Sequence, residues 1–304
     1  MRLAYEVLDV FTDVAFTGNP LAVVYDGDGL TTPQCQALAR EFNLSETAFP
    51  LRPQTPGADY RLRIFTPSVE LPFAGHPTLG AAWAQVSRGR LVAGALVQEC
   101  AAGTFGVEVS LEPAYAELTG GPPRVSGPLD PTSLLRAVGL GSEDLAGPPA
   151  RRAGTGLEFS YLNVVPDAVA RAVPDPPALA EITGGGLSVF AVAGPQIHAR
   201  VFAGGVGVAE DPATGSAALG LGGWLVASGL GAPDGETAYV IAQGSELGRP
   251  SMLRCRVRSA GGVAVGTWVA GSIVPVARGE IHVPSERVVS RGGDEPANGA
   301  AVPA

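Results

Sequence analysis

The sequence has no lysine: all 20 of its basic residues are arginine, set against 29 aspartates and glutamates. Without a lysine amine there is no Schiff-base chemistry of the pyridoxal kind, no P-loop lysine and no lysine-based kinase site. Cysteine is scarce too. Cys35, Cys100 and Cys255 lie far apart, with no CxxC pair and no histidine at ligand spacing, which argues against a disulfide framework or a zinc site. His76, His198 and His282 form no ligand set by spacing, so no metal is expected. Positive charge is short overall. The net charge of −9 argues against a nucleic-acid or anionic-membrane surface, because both need a basic face.

A long uninterrupted apolar run is missing as well. The least charged stretch, PATGSAALGLGGWLVASGLGAP (212–233), is interrupted by six glycines. Its helical part, about Ser216 to Ser228, is shorter than the ~20 residues a membrane span needs. The start, MRLAYEVLDVFTDV, alternates and carries acids, unlike a signal peptide. A soluble, cytoplasmic protein is the expectation.

What is present is apolar and rich in turn formers: 46% hydrophobic residues, 42 glycines and 27 prolines in 304 residues. The length fits about two domains at the usual ~150 residues each. LAYEVLDVFT (3–12) and PLAVVYD read as strands around the turn Thr17-Gly18-Asn19. Thr32-Pro33 opens a helix through about Phe42, and ETAFPLR and DYRLRIFTP (59–67) read as strands. LPFAGHPTLGAAWAQVSRG (71–89) is a loop feeding a helix of small and apolar residues, followed by strands LVQECAAG and FGVEVSLEP.

PPRVSGPLD (122–130) is the linker candidate, and Asp130-Pro131 caps a helix PTSLLRAVGL. The second half then repeats the plan: strand SYLNVVP, helix PDPPALAEIT, strands LSVFAVAG and IHARVFAGG, and the uncharged helix. It closes with strands TAYVIAQG, SMLRCRVRS, VAVGTWVAG and SIVPVARGEI. The expected domains are 1–125, completed by the last strand near 275–283, and 126–283, with a disordered Gly/Pro/Ala-rich tail at 284–304.

A repeat is hidden in the loops. Aligning AGHPTLG (74–80) with TGSAALG (214–220) brings Gly75 onto Gly215, Leu79 onto Leu219 and Gly80 onto Gly220. Each segment opens a nearly uncharged helix, and a helix apolar all round must be wrapped on every side. The fold class that follows is α+β: two pseudo-repeated domains, each a curved, mostly antiparallel, barrel-like sheet around a central apolar helix. Two facing helix N-termini present unpaired N–H groups and positive dipole ends, which suit an anionic substrate such as a carboxylate.

The acid Glu46, between Leu44, Ser45, Thr47, Ala48 and Phe49, reads either as a surface turn residue or as a carboxyl in a dry cleft. In the second case apolar neighbours raise its pKa towards neutrality, as proton shuttling requires. His76 at a helix start reads as a cap or packing residue or as a site residue. Asp211 before Pro212 reads first as an N-cap, Asn19 first as a turn residue, and His198 and His282 as structural. Gly220-x-Gly222 is no dinucleotide fingerprint, because Leu225 stands where the third glycine belongs.

GNPLAVV (18–24), NLSETAF (43–49), FAGHPTLGAA (73–82), EDPATGSAALG (210–220) and GRPS (248–251), in this order, resemble the PhzF-like phenazine-biosynthesis family. The similarity runs from about residue 5 to 281. The resemblance implies a diaminopimelate-epimerase-like fold with the active site in the cleft between two similar domains, a homodimer, and no cofactor or metal. It also implies a role for Glu46 in moving a proton on a small carboxylate, as in the isomerisation of a dihydro-hydroxyanthranilate. His76 and Asp211 would join it in catalysis, and Gly75, Gly215, Ser216, Ser45 and Asn19 would contact substrate. The wider superfamily's racemases use two facing cysteines, at positions that here are Ala74 and Thr214, so a thiol-pair mechanism is not expected. An epimerase using Glu46 and Asp211, and a non-catalytic carboxylate-binding protein, remain alternative readings.

Overall fold

The computed structural model describes residues 1–182, 184–202 and 209–285. The expected disordered tail lies, from residue 286 on, outside the described residues. The first half runs β1 (Arg2–Val10), β2 (Asn19–Val24), α1 (Thr32–Phe42), β3 (Glu46–Leu51), β4 (Tyr60–Phe65), β5 (Glu70–Leu71), α2 (Gly75–Ser87), β6 (Gly94–Cys100), β7 (Gly103–Leu111) and β8 (Ala114–Gly120). Helix α1 begins in a reciprocal capping box between Thr31 and Gln34, so its cap is Thr31, one residue before the expected Thr32. It stops at Asn43, which takes the left-handed conformation that asparagine tolerates.

The second half comprises β9 (Arg124–Val125), α3 (Thr132–Arg136), β10 (Arg151–Gly154), β11 (Glu158–Asn163), α4 (Pro166–Arg171), α5 (Pro176–Ala180), β12 (Leu187–Ala193) and β13 (Gln196–Phe202). Then come α6 (Gly215–Ala227), β14 (Gly235–Gln243), β15 (Ser251–Ala260) and β16 (Val263–His282). Two expected elements change here. The linker contains β9, and the helix after Pro131 is a single short turn, because Gly139 takes a positive φ and ends it.

Among the described residues the strands form one continuous hydrogen-bonded sheet in the order β1-β2-β3-β4-β6-β7-β8-β16-β15-β14-β13-β12-β11-β10-β9. Strand β1 also pairs with β16, which closes the first eight into a barrel. The expected last two strands are therefore one. The early part of β16 pairs with β15 and β8, and its later part, from Ile273 to His282, pairs with β1. Gly271 lies at the crossing, where a Cβ would stand 2.5 Å from the Phe11 ring. A glycine that looks like punctuation in the sequence is a close-packing position inside a strand. Strand β8 is the partner that the sequence reading missed.

The closed barrel wraps α2, and the rest of the sheet curls around α6. Every residue of α2 except Ser87 is buried, and α6 is buried along its length apart from Ser216 and Ala227. The repeat-related glycines explain how. A Cβ on Gly80 would lie 2.5 Å from Leu21 Cδ2, and one on Gly220 would lie 2.4 Å from Tyr161 Oη. Glycine costs a helix about 1 kcal/mol relative to alanine. At these two positions it lets the surrounding strands reach the helix backbone. The Tyr161 and Tyr239 hydroxyls donate to the Ala217 and Ala218 carbonyls at 2.6 and 2.8 Å, so the buried phenols are satisfied.

Candidate active site

The two core helices meet end to end. A Cβ on Gly75 would be 3.0 Å from both Gly215 Cα and Ser216 N, so the first turns of α2 and α6 touch backbone to backbone. Glycine at 75 is what the contact requires. Neither start has a side-chain cap: the residue before α2 is Ala74, and the hydroxyl of Thr214 donates instead to Asp211 Oδ2 at 2.6 Å. The first-turn N–H groups, orphaned by helix geometry, therefore face the junction without a side-chain acceptor. Asp211 itself precedes the cap position rather than occupying it.

A cavity of about 430 Å³ opens at this junction. Its floor holds Glu46, Gly75, His76, Asp211, Gly215 and Ser216, contributed by both halves of the chain. Its walls are apolar: Phe73 and Phe105 stack with centroids 4.3 Å apart, and Leu71 and Phe159 line the cavity beside them. No arginine lines it among the described residues. The chemistry that remains for an anion is the pair of helix N-termini, each of which contributes roughly 0.3–1 kcal/mol, more when buried.

Glu46 is the first residue of β3, and β3 runs parallel to β2 with Glu46 opposite Leu21. That register brings the carboxyl to the barrel end where α2 starts, and where Asn19 starts β2. Burial, with a smaller contribution from the Asp211 charge, pushes the Glu46 pKa well above the ordinary carboxylate range. Its Oε2 lies 3.4 Å from His76 Nε2. The two atoms are out of line for a hydrogen bond, and neither has another partner among the described residues. Both are buried polar atoms that stand near each other without bonding.

Burial pulls the His76 pKa down to about 3, against the opposing effect of the Pro20 carbonyl, so the ring is neutral at physiological pH. Asp211 is raised to about 6 by burial, with the bonds from Thr214, Asn19 and the Ala213 N–H acting in the opposite direction. Of the two carboxyls, Asp211 has these donors and Glu46 has none. Burial therefore favours the protonated form of Glu46, while the donors around Asp211 favour its ionised form.

Asn19 ties the two halves together. It is fully buried, and its amide donates to Asp211 Oδ1 at 2.7 Å and to the Ala213 carbonyl at 2.9 Å. With both amide hydrogens committed, its Nδ2 also lies 3.2 Å from His76 Nδ1. The structure thus gathers Glu46, His76, Asp211, Gly75, Gly215 and Ser216 in one cavity. It places Asn19 behind the cavity floor and leaves Ser45, just before β3, outside the lining. His198 pairs with Glu246 at 2.8 Å, away from the cavity. Gln243, which donates to the Asp211 carbonyl at 2.7 Å and bonds Thr214, supports the same corner and carried no sequence signal. The sequence likewise does not assign the aromatic walls to the site.

The sequence matches the phenazine biosynthesis-like protein family over residues 8–279. An uncharacterized isomerase of Mesorhizobium japonicum is 36% identical, over 92% of this chain and 98% of its own. The trans-2,3-dihydro-3-hydroxyanthranilate isomerase of Pseudomonas aeruginosa is also 36% identical, over 92% of this chain and 99% of its own. Among solved structures, the Bacillus anthracis phenazine biosynthesis protein of the PhzF family superposes with a TM-score of 0.83 at 25% identity, covering 93% of this chain and 100% of its own. A hydroxyproline epimerase of Agrobacterium vitis shares the fold at 14% identity, with a TM-score of 0.65 over 95% of this chain and 94% of its own. This chain belongs to the phenazine biosynthesis-like protein family, as an enzyme of the isomerase type.

Proposed function

We propose that the protein is a cofactor-independent isomerase of a small carboxylate, in which Glu46 carries a proton from one substrate carbon to another. The observation that supports this most directly is the buried Glu46 carboxyl, its pKa raised by burial, 3.4 Å from His76 and sharing one cavity with Asp211 at the junction of two uncapped helix starts. The substrate carboxylate lies against the first-turn N–H groups at Gly75, Gly215 and Ser216. Glu46 gives its proton to one end of an unsaturated system and takes a proton from the other end as the double bond moves. The carboxyl is regenerated and no net charge changes. The apolar side of the site, Phe73, Phe105 and Phe159, keeps water away from the carboxyl and raises its pKa in the direction that general acid–base catalysis requires.

The test uses trans-2,3-dihydro-3-hydroxyanthranilate, the substrate in the relative's name, and a panel of small unsaturated carboxylates in deuterated water, followed by NMR. Double-bond migration with deuterium at the newly protonated carbon supports the proposal. Inversion at a stereocentre without migration would instead make the enzyme an epimerase. Binding of these carboxylates with neither turnover nor exchange would refute it in favour of a binding protein.

A further inference from the structure

The GRPS segment (248–251) lies outside the cavity lining, yet it is built around the turn that holds Asn19. Arg249 Nε donates to the Gly18 carbonyl at 3.0 Å, and its terminal nitrogen donates to Asp9 Oδ1. Asp9 is 2% exposed, and its other oxygen accepts the Phe16 N–H at 2.6 Å. The Gly18 N–H donates in return to the Pro250 carbonyl at 2.9 Å. Gly18 has φ +69°, and a Cβ there would stand 2.5 Å from Val10 O, so the turn tolerates only glycine. The next residue is Asn19, whose amide reaches Asp211 and the Ala213 carbonyl. Arg249 comes from the second half of the chain, whereas Asp9, Gly18 and Asn19 come from the first.

We propose that Arg249 is a positioning residue of the site: with Asp9 it clamps the Gly18 turn across the two halves and so holds the Asn19 amide on Asp211 and beside His76. The guanidinium suits this because it presents Nε and a terminal nitrogen in one rigid plane, one for the carbonyl and one for the carboxylate. A lysine ammonium keeps the charge but not the fork. Loosening the clamp lets Asn19 shift and weakens a bond that favours the ionised form of Asp211. The charged or titratable groups around that carboxylate are Glu46 and His76, which share its cavity, and the adjacent Glu210, and none of them takes over the role of the amide.

The test compares Arg249→Lys, Arg249→Met and Asp9→Asn with the native protein. The rate readout rests on the proposed function; the second readout does not. In the first, a folded Arg249→Met variant loses at least 10-fold in kcat with KM changed less than 3-fold, and the acid limb of its pH profile moves to higher pH. Arg249→Lys recovers only part of the rate. In the second, the ring-nitrogen NMR shifts of His76, one of three histidines in the chain, change in the ligand-free variants while those of His198 and His282 stay fixed. A lowered Tm with native kcat, native pH profile and unmoved His76 resonances would overturn the proposal and leave a purely structural ion pair. So would failure of both Arg249→Met and Asp9→Asn to fold. Moved His76 resonances in a protein that turns over no carboxylate would keep the clamp and refute only the proposed reaction.

Discussion

Glu46→Gln is the most informative single change, because the amide differs little from the carboxyl in shape and matches the uncharged form that burial favours. Removing a general acid–base group costs ~10²–10⁴-fold in rate, equivalent to about 3–5 kcal/mol of barrier at ~1.36 kcal/mol per decade. Binding should stay near native, since the N–H groups at the helix starts are untouched and the amide matches the neutral carboxyl that burial favours. Stability provides a second signature with a definite sign. Below the unfolded carboxyl pKa, both folded and unfolded chains hold the proton. As pH rises past 4.5, the unfolded chain releases it and the folded chain does not, so the native protein loses stability until the pH passes the raised folded value. The glutamine variant escapes that loss. Its Tm should therefore gain on the native Tm as pH rises from about 4.5 towards 8. Turnover, ligand affinity by calorimetry and thermal melts on one purified sample decide the matter. Near-native turnover, or a Tm difference that does not grow with pH, would remove Glu46 from the proton path.

The pH–rate profile should have an acid limb near pH 6, where Asp211 takes up a proton, and no inflection from His76 between pH 5 and 8, because that ring titrates near 3. An acid limb that survives Asp211→Asn unchanged would assign it elsewhere. A variant lacking Cys35, Cys100 and Cys255 should keep its turnover: all three are buried, and none lines the cavity. A folded cysteine-free protein without activity would revive a thiol mechanism. Gly75→Ala should force the two helix starts apart, because its Cβ lies 3.0 Å from backbone atoms that cannot rotate away. Overpacking of this kind costs about 1–3 kcal/mol, and carboxylate affinity should fall at least 10-fold; native affinity on titration would show that the N-termini are not the anion site.

The sequence carried whatever depends on local chemistry or on a short contiguous pattern. The uncharged helices at 75–87 and 215–227 could be read because a helix without a polar face must be enclosed. Glu46, His76 and Asp211 are singled out by the family-like motifs they sit in; by residue type alone each also reads as a turn, packing or cap residue. The absence of lysine removed whole reaction classes before any fold was known. Only the tertiary structure decided the rest. That β16 is one strand joining the two halves of the sheet follows from its partners β8 and β1, which are far from it in the chain. That Asn19 belongs to Asp211, and Arg249 to Asp9 and Gly18, follows from the meeting of the two halves, which no periodicity encodes. The protonation states also come from tertiary structure. An isolated glutamate and histidine titrate near their ordinary values, and it is burial at the junction of two helices that moves one up and the other down.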